Sequence, residues 1–553
     1  GKFKKLDVLY KEFMNTKKLS IDPIVPYINN IMKCKTKDSL WNLLSKYEKL
    51  CFNPFFGFYP EIDSKKSDLV VLNLGSGGLG LPARSYYFDK SKSETRQKYK
   101  MYIKKILKLY FNNDKFYNKI YDFEKQLAKY TYTKLQMREP KLLYNKMTMN
   151  GLKKISNFKW NKFYDKMPYL IVSNPKFFKE FEKIWNKTSL ETLKYFMSYK
   201  LISSLTGYLP DEYGKASFDF YGKFLSGIKK RKPRWERGIS VVKSVFGELL
   251  GQLYIKEYFS KASKNKMLDM IKDIGDTLKE RIKGLDWMTE KTKKKALLKE
   301  KHFTAKIGYP DKWKSYSSYK LNQNNLIDML IHCEKQDYKK ELKTLFKKPD
   351  PNKWEMNVYD VNAYFHPLRN EIVFPAGILQ KPFFDLNYSD EKNFGGIGTV
   401  IGHEMIHSYD DKGSMYDHLG NLKNWWSKED LKKFNKKTKF LVDEFNKLSY
   451  KGTKLNGELT LGENIADLGG VTMAYYALLK KNPKNIKNFF ENFANVEKSN
   501  ITDKEAERRI RTDPHSLSIF RVNTILKNFK PFCDVYKLKK GDKMCNSKYI
   551  TLW

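Results

Sequence analysis

Cysteine is scarce: Cys34, Cys51, Cys333, Cys533 and Cys545 are the only five in 553 residues. So small and scattered a set excludes a disulfide scaffold, and the absence of any C-x-x-C pair excludes a paired-thiolate metal site. The odd number leaves at least one thiol unpaired within the chain, while Cys533 and Cys545 remain free to bridge near its end. Long apolar runs are missing too. No uncharged stretch approaches the ~20 residues that a bilayer helix needs, and no signal-like apolar core follows Gly1-Lys2-Phe3-Lys4-Lys5. Neither a span nor a secretion signal is therefore expected among these residues, and the compartment stays open. Internal repeats and low-complexity linkers are absent, which excludes solenoids and tethered arrays. Acidic residues are few beside basic ones, 62 against 106, for a net charge of +44. Such a surface attracts polyanions, so nucleic acid or another polyanion is a physically possible partner. The excess is mostly lysine and comes with much Asn, Ile and Tyr, the bias that an A+T-rich genome gives without selection for binding.

What is present is a globular composition. Hydrophobic residues make up 41% and aromatic residues 15%, enough to bury a large core in a chain of this length, split over more than one domain. The fold class expected is mainly α, with an α+β part. Residues 1–335 read as successive helices, among them Ser93 to Phe111, Phe116 to Tyr132, Ser240 to Phe259 and Lys264 to Leu285, with apolar positions at three- and four-residue spacing. A charged, proline-containing stretch from Glu334 to Lys353 marks a boundary. Residues 336–553 open with strand-like Val358 to Phe365 and Glu371 to Phe374. Gly75-Ser76-Gly77-Gly78-Leu79-Gly80 matches G-x-G-x-x-G after a strand-like run, yet Pro82 follows where a dinucleotide site needs a helix to open. These glycines are expected to make a turn.

Histidine is also rare, with seven in the chain, and two of them fall in His403-Glu404-Met405-Ile406-His407. Residues four apart on a helix share a face, so both imidazoles can reach one ion while Glu404 stands beside it as a base. Val400, Ile401, Met405 and Ile406 can pack the opposite side, and the glycines at 395, 396 and 413 place both histidines mid-helix. A catalytic zinc needs a third protein ligand and an open position. Leu461-Gly462-Glu463-Asn464-Ile465-Ala466-Asp467 supplies two carboxylates on one helical face. Glu463 is the candidate ligand, and Asp467 the acceptor for the far nitrogen of a ligand imidazole. Two histidines and one glutamate favour Zn2+, one ion per chain.

Together these motifs resemble the neprilysin family of zinc endopeptidases. Agreement continues through Asn362-Ala363-Tyr364-Phe365, Val373 to Leu379, Trp425-Trp426, Asp513-Pro514-His515, Phe520-Arg521-Val522 and Trp553, and weakly through Gly78 to Tyr87, Leu143 to Met147 and Arg234-Trp235. The resemblance implies a thermolysin-like catalytic domain at 336–553. It further implies a helical lid domain at 1–335 that encloses an internal cavity and limits substrates to oligopeptides. It makes Glu404 the proton carrier, His515 the oxyanion donor, and Asn362, Ala363 and Arg521 the groups that hold the peptide backbone. Ile378, Phe383, Val400 and Val496 match an apolar pocket after the scissile bond, which implies preference for an apolar residue there.

Two departures bear on specificity. The aromatic-rich segment that precedes the family's first helices has no counterpart before Lys2, so part of the substrate site is expected to be missing or supplied otherwise. Glu497 stands where the family usually has tryptophan, beside that apolar pocket. The cysteines do not match the set of the family's animal ectodomains. A zinc aminopeptidase would need a G-x-M-E-N-like signature, which is absent. The remaining alternative is a basic binding or packaging protein that keeps the peptidase fold, with cleavage secondary.

Overall fold

The computed structural model describes residues 1–322 and 324–553. Its chain forms two compact units, each discontinuous in sequence. The first contains Gly1–Asp63, Asp68–Leu250 and Lys314–Pro349, and the second contains Ser64–Ser67, Gly251–Trp313 and Asp350–Trp553. This differs from a single division at residue 335, which falls inside the helix Leu326–Leu342. The segment from Gly251 to Trp313, read with the first domain, belongs to the second unit. Its helix Lys261–Lys283 buries Met267, Met270, Ile274 and Leu278 in the same core as the second unit's later helices.

Helices dominate the first unit. The expected helix Ser93–Phe111 is present, capped by Asn112 in the left-handed conformation. The helix expected from Ser240 begins earlier and spans Arg234–Tyr258, with non-helical backbone at Phe246. A four-stranded sheet has the order β1 (Phe56–Asp63), β2 (Lys66–Ser76), β4 (Leu170–Val172), β3 (Asn145–Met147). Aromatic rings fill its core: Trp41 stacks on Phe158 at 4.0 Å and meets Trp160, Phe163 and Trp185 edge-on. No helix opens on the glycines after β2. Gly80 N–H instead donates to the buried carboxylate of Glu124, which also accepts from Tyr87 and Tyr99. A Cβ on Gly80 would lie 1.8 Å from Tyr99 Oη, so this glycine serves a close approach and not a nucleotide.

In the second unit β5 (Thr304–Gly308) pairs parallel with β7 (Glu371–Pro375), and β6 (Tyr364–His366) pairs antiparallel with β7. The sheet order β5-β7-β6 leaves β6 at an edge. The strand read as Val358 to Phe365 thus shortens to β6, and residues 357–363 are irregular, with a turn at 358–359. Behind the sheet lie the helices Thr399–His407 and Leu461–Leu479, with Trp553 buried against Trp287, Tyr409 and Phe434. Cys533 and Cys545 are joined, and Cys34, Cys51 and Cys333 are free. No helix among the described residues is long and apolar enough to cross a membrane.

Candidate metal centre

The site is built where two helices touch backbone to backbone. A Cβ on Gly402 would come within 2.7 Å of Gly470 O, and one on Gly470 within 2.6 Å of Thr399 O and 2.7 Å of His403 N. Only glycine at both positions permits this approach, which brings the first turns of Leu461–Leu479 against His403. The helix Thr399–His407 grows from a tighter turn at Phe394–Gly398 and ends at His407. His403 is therefore mid-helix, but His407 closes the helix, contrary to the expectation for both.

His403 Nδ1 donates to Asp467 Oδ1 at 2.8 Å, and His407 Nδ1 donates to Asp410 Oδ2 at 2.7 Å. With both Nδ1 atoms so committed, the Nε2 atoms of neutral rings carry lone pairs. These lone pairs face a common point: the two Nε2 atoms are 2.9 Å apart, and Glu463 Oε2 lies 3.1 Å from that of His403 and 3.4 Å from that of His407. Glu463 Oε2 is buried without a hydrogen-bond partner. Three acceptors aimed together with no donor among them suit a cation. Ligands held at about 2.0–2.1 Å in a tetrahedron stand roughly 3.4 Å apart, near these spacings. The residues present therefore fit zinc.

Glu404 is buried, and ligating atoms of His403, Glu404 and His407 lie within 4.8 Å of one another. Glu463, not Glu404, is the carboxylate in contact with both imidazoles. Burial pushes the Glu404 carboxyl up. Burial acts on Asp467 in the same direction, but the Arg521 guanidinium overrides it and holds the carboxyl well below the usual range. Arg521 donates through Nε at 2.8 Å and Nη2 at 2.7 Å to the two Asp467 oxygens. Its Nη1 is left for another acceptor.

His515 Nε2 approaches Glu463 Oε2 to 3.3 Å, and Nδ1 donates to Asp513 Oδ1 at 2.7 Å. A ring that donates from Nδ1 can also donate from Nε2 only as imidazolium. Burial disfavours that form, but Asp513 and Glu463 raise its pKa on balance. Asn362 and Ala363 precede the edge strand β6, where Ala363 N–H donates to Asn362 Oδ1. Ile378 is buried, and Phe383 and Val400 pack half-buried against the same core. Val496 ends the helix Lys487–Val496, outside that cluster. Glu497 lines a cavity of about 570 Å3 together with His515, Arg521, Asp513 and Arg509. Burial raises the Glu497 carboxyl.

Asp410 and the glycine pair Gly402 and Gly470 escaped the reading from sequence, and Asp513 was read only as part of a motif, without its bond to His515. Asp410 stands three residues after His407 and just past its helix, a signal open to inspection. Gly470 has no local signal, because its role is a contact with Thr399 and His403 on a helix distant in the sequence.

The peptidase family M13 model matches in two parts, residues 1–310 and 362–552. Human endothelin-converting enzyme 1 is 30% identical over 598 aligned positions, covering 100% of this chain and 77% of the relative. Neprilysin-3 of Drosophila melanogaster is 31% identical, over 92% of this chain and 70% of the relative. The crystal structure of zinc metalloprotease ZMP1 of Mycobacterium tuberculosis, in complex with an inhibitor, superposes with a TM-score of 0.95 at 30% identity. It covers 99% of this chain and 88% of that one.

Proposed function

Since the chain belongs to peptidase family M13 and is a zinc metalloendopeptidase, we propose that it cleaves oligopeptides internally with zinc held by His403, His407 and Glu463. The convergence of their three acceptor atoms, with Glu463 Oε2 otherwise orphaned, carries this assignment. Those three residues would hold zinc, which would supply Lewis acidity to activate a water and polarise the scissile carbonyl.

The remaining work falls to side chains. Glu404 takes the proton of the attacking water and passes it to the leaving amine nitrogen, a task suited to a carboxyl raised by burial. His515, fixed by Asp513, donates from Nε2 to the oxyanion that develops on the carbonyl. Asp467 orients His403 and is itself held by Arg521, whose free Nη1 bonds a substrate carbonyl. Asn362 and Ala363, at the edge of the β5-β7-β6 sheet, hold the peptide as an added strand. Ile378, Phe383, Val400 and Val496 receive an apolar side chain after the cleaved bond, and the charge of Glu497 alters that preference. The restriction to oligopeptides is what the family resemblance implies. Nothing among the described residues favours the polyanion-binding alternative.

An end-blocked, internally quenched peptide tests the reading. Internal cleavage that stops with chelator and returns with zinc is expected, whereas cleavage only of peptides with free termini contradicts it. A peptide library adds the specificity test: Glu497→Trp is expected to strengthen the preference for large apolar residues after the scissile bond. An unchanged profile would remove Glu497 from the specificity site.

A further inference from the structure

Lys299 is 1% exposed, on the helix Glu290–Lys301. Its Nζ donates to three main-chain carbonyls, Ser408 O at 2.6 Å, Gly413 O at 2.7 Å and Tyr416 O at 2.8 Å. All three belong to the loop that follows His407. The same loop carries Asp410, whose Oδ2 accepts from His407 Nδ1 at 2.7 Å and whose Oδ1 accepts from the N–H groups of Lys412 at 2.8 Å and Gly413 at 2.7 Å.

We propose that Lys299 is a positioning residue for the metal centre. Its buried ammonium gathers the 408–416 loop as a fixed internal cation and so holds Asp410 in place against His407. The proposal rests on His407 being a zinc ligand.

Several observations make the lysine a built part of the site. Burying an ammonium is costly unless every N–H finds an acceptor. Here the three N–H groups meet three carbonyls, which an amine with two N–H groups could not satisfy. Burial works in the other direction and pushes the group down to about 7, opposed by Asp410 and Asp417. The three acceptors favour the protonated form. Tyr409 Oη donates to Ala296 O at 2.8 Å, a second tie between the helix and the loop, and Asn370 Nδ2 donates to Lys299 O at 2.8 Å, anchoring the helix to the start of β7. Trp425 Nε1 and Trp426 Nε1 donate to Tyr416 O and Ser414 O, closing the loop from outside. Gly413 cannot be replaced within this geometry, since a Cβ there would lie 1.7 Å from His407 O. The loop is thus folded around the ammonium and against the last turn of the helix that bears the histidines.

Removing a group that orients a metal-binding histidine typically costs 10–100-fold in metal affinity. Zinc affinity is read by competition with a chromophoric chelator, on wild type, Lys299→Met and, as control, Lys294→Met on the exposed face of the same helix. With near-ultraviolet circular dichroism establishing the folded state, Lys299→Met is expected to bind zinc about 10–100-fold more weakly. Lys294→Met is expected to match wild type. Folded Lys299→Met with zinc affinity within about twofold of wild type overturns the proposal. Failure of wild type to bind zinc would instead overturn the ligand assignment beneath it.

If Lys299→Met does not fold, hydrogen exchange of zinc-stripped wild type decides. A loop held by the ammonium keeps the amides of Lys412 and Gly413 protected without metal. Full loss of that protection on zinc removal, restored by zinc, contradicts the role of Lys299.

Discussion

At the scale of single residues, the histidines of the candidate metal centre are each fixed by a carboxylate. His403 leans on Asp467, Asp467 on Arg521, His407 on Asp410 and His515 on Asp513. This hierarchy makes Asp467→Asn informative. It retains shape but weakens the pull on His403 Nδ1, so zinc affinity is expected to fall about 10–100-fold by chelator competition. Unchanged affinity would reduce Asp467 to an anchor for Arg521. His403, Glu404, His407, Glu463 and Asp467 were legible because helical spacing places them on defined faces before any tertiary structure is known. Lys299 was not. A single lysine among 106 Lys and Arg carries no mark in the sequence, and the three carbonyls around its Nζ are what distinguish it.

Among the elements, the contact between Thr399–His407 and Leu461–Leu479 decides whether the ligands meet. Gly470→Ala would place a methyl 2.6 Å from Thr399 O, a backbone clash that no side-chain rotation relieves. The expected loss is about 1–3 kcal/mol or more in a denaturant melt, accompanied by lower zinc content in the folded protein. Wild-type stability and metal content in this variant would mean that the helices have slack the structure does not display. Both helices were readable in outline, with Ile401 and Ile406 buried as their spacing suggested. Their partnership was not readable, since nothing local states which glycine faces which backbone. The short β6 illustrates the same limit. Val358 to Phe365 is strand-like in composition, but Asp360 N–H donates to Asn357 O and Asn357 N–H to Asp360 Oδ2, which takes the first half out of the sheet.

For the whole molecule, two cores form from segments that alternate along the chain. Composition cannot reveal this, because the helix Lys261–Lys283 has the same amphipathic pattern as the helices of the first unit. What assigns it elsewhere is long-range packing of Met270, Ile274 and Leu278. The metal centre lies wholly in the second unit, so zinc is expected to stabilise that unit by mass action. Saturation at a thousand times the dissociation constant gives about 4 kcal/mol. Calorimetry with and without chelator should therefore show a transition that moves to lower temperature when zinc is withdrawn. Traces that superpose would mean that zinc does not bind the native fold.

The most direct measurement is zinc stoichiometry together with cleavage of a quenched peptide, on wild type, Glu463→Gln and Glu404→Gln. If Glu463 holds the ion and Glu404 moves the proton, Glu463→Gln loses zinc and activity together. Glu404→Gln then retains one zinc per chain but loses roughly 10^2–10^4-fold in turnover. Full zinc affinity in Glu463→Gln, or wild-type turnover in zinc-loaded Glu404→Gln, would contradict that division of labour.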